Sequence, residues 1–197
     1  MLKRRNWAWL RYGLLPVLLT LFLSPAMAEG YGLFVAGVEV TSENCSNLGG
    51  LDGVTLGTKG ELKYDPDFKT LKMIDVTMNL DGKQAVRNES VSDFKIQVMG
   101  NNQFTVTKSD ALSFSAASTI QGEGTLTLNS TQSAVWTKSP LTIADVTLNA
   151  YGKNGLIGHR WYNGYDGELS IKNARLDVRG SDLTIGSFRN VTLDGSK

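Results

Sequence analysis

The chain has 197 residues, 41% hydrophobic and 20% charged, with 21 Gly and 4 Pro. This balance excludes wholesale disorder and fits one domain with a small appendage. The single cysteine, Cys45, excludes an internal disulfide, so the fold must rest on packing. The formal charge is only +1, and it falls further without the basic amino-terminal leader, so nothing suggests a nucleic-acid partner, which would want a basic face.

The stretch from Met1 to Ala28 reads as a secretory signal peptide. Lys3, Arg4, Arg5 and Arg11 form a basic start, and an apolar run covers Leu14 to Leu23. Ser24-Pro25-Ala26-Met27-Ala28 then supplies a small-x-small cleavage site. The apolar run is short for a span of about 20 residues, so no stable membrane span is expected once the leader is removed. Removal of its four cations leaves 16 Lys and Arg against 19 Asp and Glu, a charge of −3. A secreted, extracellular or periplasmic location follows as the expectation.

Residues 29–60 read as an N-terminal cap region, with the strand-like stretch LFVAGVEVTS (Leu33 to Ser42) and then the glycine-rich turns of NLGGLDGVTLGTKG. LKYDPDFKTLKMI predicts a hairpin turning at Asp65-Pro66-Asp67. Residues 61–197 then repeat one line. LKMIDVTMNLDG (Leu71 to Gly82), LTIADVTLNAYG (Leu141 to Gly152) and LSIKNARLDVRG (Leu169 to Gly180) match closely. FKIQVMGNNQFTV, TIQGEGTLTLNS and LTIGSFRNVTLDG (Leu183 to Gly195) are looser copies. Their spacing of roughly 14 to 28 residues suits a solenoid.

Within each copy apolar and polar residues alternate, which is the strand period. The phase slips once, across Ala144-Asp145, where a bend must join two short strands. No helical segment follows the leader, which argues against leucine-rich repeats. The expected fold is therefore all-β, a right-handed parallel β-helix with an N-terminal β cap. An antiparallel β-sandwich is the alternative, although it does not require successive segments to resemble one another. Val146 and Leu148 should face inward.

YGLFVAGVEVTSEN followed by GELKYDPDFKTLKMIDVTM resembles an N-terminal module of secreted proteins from gut and oral bacteria. TIQGEGTLTL and LTIADVTLNAYG look like the coils that follow it. The resemblance is to carbohydrate-binding-domain-like β-helices, similar to calcium-dependent polysaccharide-binding proteins shaped like pectate lyases. It covers about Tyr31 to Gly195 and rests on core and turn residues, so no ligand motif transfers with it.

The densest polar-aromatic stretch is LIGHRWYNGYDGE (Leu156 to Glu168), read as a loop inserted between two coils. Arg160, Trp161, Tyr162 and Tyr165 there are candidate glycan ligands. Aromatic rings offer flat apolar surfaces to sugars, and Arg can pair with uronate carboxylates. Trp136 is a further candidate, or else a core-edge residue. Asp75 and Asp145 occupy one place in their coils, with Asn173 as counterpart. They are the candidate metal ligands, for calcium, or else turn-capping acids.

Chemistry is sparse. His159 is the only histidine and no G-x-S-x-G occurs. Lyase chemistry would need a basic residue beside bound calcium; Arg160, Arg175 and Arg179 exist, but no local acid cluster accompanies them. The expectation is a non-catalytic module that binds polysaccharide or a cell-surface glycan. The alternatives are an adhesin-like structural protein without a small ligand, or a weak polysaccharide lyase.

Overall fold

A computed structural model describes residues 28–159 and 167–196. All their regular structure is β: sixteen strands in one continuous sheet. The sheet winds into a parallel β-solenoid with three faces. The first face stacks β4 (Thr70–Asp81, by its first half), β6 (Phe94–Met99), β9 (Ser118–Gln121), β12 (Leu141–Ala144), β14 (Glu168–Lys172) and β16 (Asn190–Asp194). The second stacks the other half of β4 with β7 (Asn101–Thr107), β10 (Thr125–Ser130) and the first halves of β13 (Thr147–Gly158) and β15 (Arg175–Gly186). The third stacks β5 (Val86–Asn88), β8 (Leu112–Phe114), β11 (Ser133–Thr137) and the remaining halves of β13 and β15. Five coils and the first strand of a sixth result.

The antiparallel sandwich is excluded, since every rung from β4 onward pairs in parallel with its equivalent one coil away. Val146 and Leu148 are buried, as the alternation requires. Like stacks on like: Leu71, Ile96, Ile120, Ile143, Ile171 and Leu193 form one inward column. The longest step in that column, from Ile143 to Ile171, holds the insertion, which is shorter than the sequence suggests. Leu156 to Gly158 still belong to β13, with Leu156 fully buried, and β14 begins at Glu168.

The phase slip has a backbone cause. Where the first face bends into the second, Asp75, Asp145 and Asn173 adopt φ of 48°, 53° and 47°. Gly100, Gly122 and Gly195 take the corresponding corners with φ of 63°, 127° and 62°. This left-handed region is open to Gly and, among other residues, chiefly to Asn and Asp. One left-handed residue turns the chain and shifts the alternation, so the interior stays apolar on both sides of the bend.

Two asparagines serve as interior struts. Asn102 is buried; its Oδ1 accepts from Val76 N at 3.1 Å, and its Nδ2 donates to Met99 O at 2.8 Å and Thr125 O at 3.4 Å. Three coils are joined at that corner. Asn88 likewise binds Val91 through both side-chain ends and reaches the Ser118 hydroxyl. Among the described residues no buried side-chain nitrogen or oxygen lacks a partner, as close packing around polar groups requires.

The amino-terminal end is closed. β1 (Gly30–Val35) and β2 (Val38–Thr41) form a hairpin, not the one strand-like stretch expected; Ala36 and Gly37 both have positive φ, the requirement of a two-residue hairpin turn. β1 lies antiparallel on β5, and β3 (Val54–Asp65) lies antiparallel along β4. The turn of that second hairpin is the one foreseen, with Asp65 Oδ1 accepting from the Asp67 and Phe68 amides. Reversing strand direction stops parallel growth, and Leu48 and Tyr64 bury themselves over the end. Toward the opposite end Ile185, Val191 and Leu193 are 37%, 49% and 68% exposed.

The LTIG copy is out of phase with the others. Leu183 to Gly186 sit on the third face beside Asn154 to Ile157, and the first-face rung is Asn190–Asp194.

Asn102→Ala should lower unfolding free energy by about 3 kcal/mol, from three hydrogen bonds of about 1 kcal/mol each. The neighbouring exposed Asn101→Ala should stay within about 0.5 kcal/mol of wild type. Urea denaturation followed by circular dichroism measures both; equal effects would remove the strut role.

Candidate functional site

With the interior filled by apolar columns, chemistry is confined to outward columns and corners. Among the sequence candidates, Arg160, Trp161, Tyr162 and Tyr165 lie outside the described residues. Trp136 is on β11, where it points away from the core on the third face. Its outward column runs Arg87, Ser113, Trp136, Ile157, Gly186. The indole is half-buried and has two partners. His159 meets it edge-on with ring centroids 5.5 Å apart, and the Lys138 ammonium stands 5.2 Å from its centre. His159 continues β13 directly and its amide donates to Thr137 O at 2.8 Å. Register therefore brings Trp136 beside the root of the insertion that follows His159. The two lie one coil apart in the chain, a juxtaposition that spacing alone does not reveal.

Asp75 and Asp145 do share a corner, as expected, but as backbone residues. Asp75 Oδ1 accepts from the Asn101 amide at 2.8 Å. A Cβ on Gly57 would stand 2.9 Å from the Asp75 Cβ, and one on Gly100 would run into its carboxylate. Glycines thus make room for Asp75 on both sides. Asp145 lies three rungs away, about 14 Å at the usual strand spacing, too far to share one ion with Asp75. No group of three or more His, Cys, Asp or Glu suited to a metal ion occurs among the described residues.

Two surfaces were not visible in the sequence. On the second face Thr77, Gln103, Thr127, Asn149 and Asp177 make one outward column, and Asn79, Thr105, Asn129, Tyr151 and Arg179 the next. At the far end Arg179 Nε and Nη2 donate to the two Asp177 oxygens at 3.0 and 2.9 Å. The Tyr151 hydroxyl donates to Asp177 Oδ2 at 2.9 Å. The Arg179 guanidinium and then the Tyr151 hydroxyl hold the Asp177 carboxyl below the usual Asp range. Donating to that carboxylate pushes the Tyr151 phenol up. The second surface is a depression of about 310 Å³ on the first face, where the 72% exposed Phe68 stands near Lys95, Gln97 and Gln121.

Comparison with known proteins gives no relative: no family model, curated protein or solved structure matches the chain.

The Asp177 carboxyl should titrate below the ordinary Asp value of about 3.9. Because its folded pKa is depressed, its small contribution to stability is present above the ordinary range and is lost as pH falls through the lowered value. Carbon-13 NMR of the side-chain carboxyl measures the midpoint, and Arg179→Ala should move it upward. An unmoved midpoint would mean that the fork is not formed in solution.

Proposed function

We propose that this chain is an exported, non-catalytic β-solenoid module that binds a polysaccharide or cell-surface glycan. The observation that carries the reading is Trp136. Its ring points outward on the third face, partly buried, with a cation and an imidazole against it. That arrangement suits a sugar ring, whose C–H face packs on an aromatic plane while nearby polar groups reach its hydroxyls. Arg160, Trp161, Tyr162 and Tyr165, in the sequence that directly follows His159, are the further candidate ligands. The resemblance to bacterial carbohydrate-binding-domain-like β-helices and the leader sequence support export to the cell surface or medium. Calcium enters as an optional partner of the glycan, not through Asp75 and Asp145 together.

A glycan array probed with the purified protein, with and without calcium, tests the reading. Binding should weaken by about tenfold or more in Trp136→Ala, the usual effect of losing a central aromatic anchor. The double variant Trp161→Ala/Tyr162→Ala should weaken it further. Absence of binding to every glycan would leave a structural spacer. A rise in ultraviolet absorbance on incubation with polygalacturonate would instead make the protein a lyase.

A further inference from the structure

Coils 4 and 5 pass from the second face to the third differently from coils 1 and 2. In coils 1 and 2 a separate turn intervenes between strands. In coils 4 and 5, β13 and β15 run through the corner unbroken, with Gly152 and Gly180 paired at the bend. The bend admits no side chain: a Cβ on Gly152 would stand 2.6 Å from Asn154 O and 2.7 Å from Gln132 O, and one on Gly180 would run into the Leu183 carbonyl. The packing of the coils thus leaves a bare floor. Above it lies an open trough of about 530 Å³ bordered by Asn129, Tyr151, Gly152, Arg179, Gly180 and Ser181.

The wall of that trough is already organised. Asn129, Tyr151 and Arg179 are successive members of one outward column. Asp177 fixes both Tyr151 and Arg179 by hydrogen bonds to each, and the guanidinium carbon stands 5.5 Å from the Tyr151 ring centre. Two consequences follow. The ring and guanidinium are held before any ligand arrives, which lowers the ordering cost of binding. The guanidinium fork is engaged by Asp177, so the pair is electrically neutral and the geometry that would grip a ligand carboxylate is occupied. The Asn129 amide makes no side-chain hydrogen bond to the described residues, and Arg179 Nη1 takes no part in the fork, so both residues border the trough with donors to spare.

We propose that this trough is a second saccharide site, selective for neutral polysaccharide and independent of calcium. A sugar ring lies across the trough beside Tyr151, and its hydroxyls exchange hydrogen bonds with the Asn129 amide and Arg179 Nη1. The inference rests on the glycan-binding reading but uses none of the residues assigned to the Trp136 surface, so the two can fail separately.

Calorimetric titration of the purified protein with neutral glucan and mannan oligosaccharides, and with oligogalacturonate, tests it in calcium and in EDTA. The expected result is binding of a neutral oligosaccharide, unchanged by EDTA and by Trp136→Ala. Arg179→Ala and Tyr151→Ala should each weaken it about tenfold, the effect of losing a charge-assisted hydrogen bond or a stacking ring. Arg179 has a 75% exposed side chain, so its removal leaves the fold intact and keeps the test decisive if Tyr151→Ala unfolds. Binding within about twofold of wild type in Arg179→Ala overturns the proposal, as does binding of oligogalacturonate alone or loss of the neutral ligand in EDTA. If all saccharide binding disappears in Trp136→Ala, this site falls and the earlier reading stands. If wild type binds no saccharide, both fall.

Discussion

Each strand of this protein must satisfy the strand one coil before it and the strand one coil after it at the same time. The backbone ladder fixes the separation at about 4.8 Å, so an inward residue has no freedom to be large or polar by itself; it must fit its column. That single constraint produces the run of Leu and Ile on the first face. It also forces a left-handed residue at each first corner, because a bend that kept the strict alternation would turn the next apolar set outward. Asp, Asn and Gly at those corners are consequences of stacking before they are anything else.

This changes how polar residues are weighed. Asn102 and Asn88 look like surface residues by type, yet both are fully or almost fully buried and tie coils together where backbone groups would otherwise be unpaired. Asp75 looks like an available carboxylate, yet it hydrogen-bonds the next coil's backbone between two glycines. Function must be sought among side chains the stack does not need. Trp136 on the third face and the Tyr151–Asp177–Arg179 group on the second meet that condition, since each points outward and a residue of different size would leave its column undisturbed.

The architecture was legible because it is written in local periods. Alternation gives the strands, the Asp-Val phase slip gives the first corner, and the recurrence of both gives the solenoid. What lacked a local signal was missed. The third-face strands β5 and β8 are too short to show a period. Val35-Ala36-Gly37-Val38 turns back on itself, although the apolar pattern reads straight through. LTIG at Leu183 resembles LTIA at Leu141 in composition alone and sits on a different face. The outward groupings were beyond reach for a further reason. Tyr151 meets Asp177, and Trp136 meets His159, across a whole coil of intervening chain. Such pairs can be assigned only once the length of each coil is known. That length is not constant: the step from Ile143 to Ile171 is longer than the step from Ile171 to Leu193. An error of a single position would have separated every such pair.

The variation in coil length is itself confined to places where the ladder tolerates it. The insertion of coil 4 enters after Gly158 and leaves before Glu168, between the third and first faces, while Leu156 and Leu169 on either side remain in their columns. The replacement of a turn by an unbroken bend in coils 4 and 5 likewise falls at a corner, at Gly152 and Gly180. Lengthening or tightening a corner leaves the register of the faces intact. Faces cannot change in this way, because an added residue would invert the alternation along the rest of the strand. A solenoid built under that rule diversifies its surface at its edges. Both proposed binding surfaces lie next to such places, one beside the insertion after His159 and the other over the unbroken bend at Gly152 and Gly180.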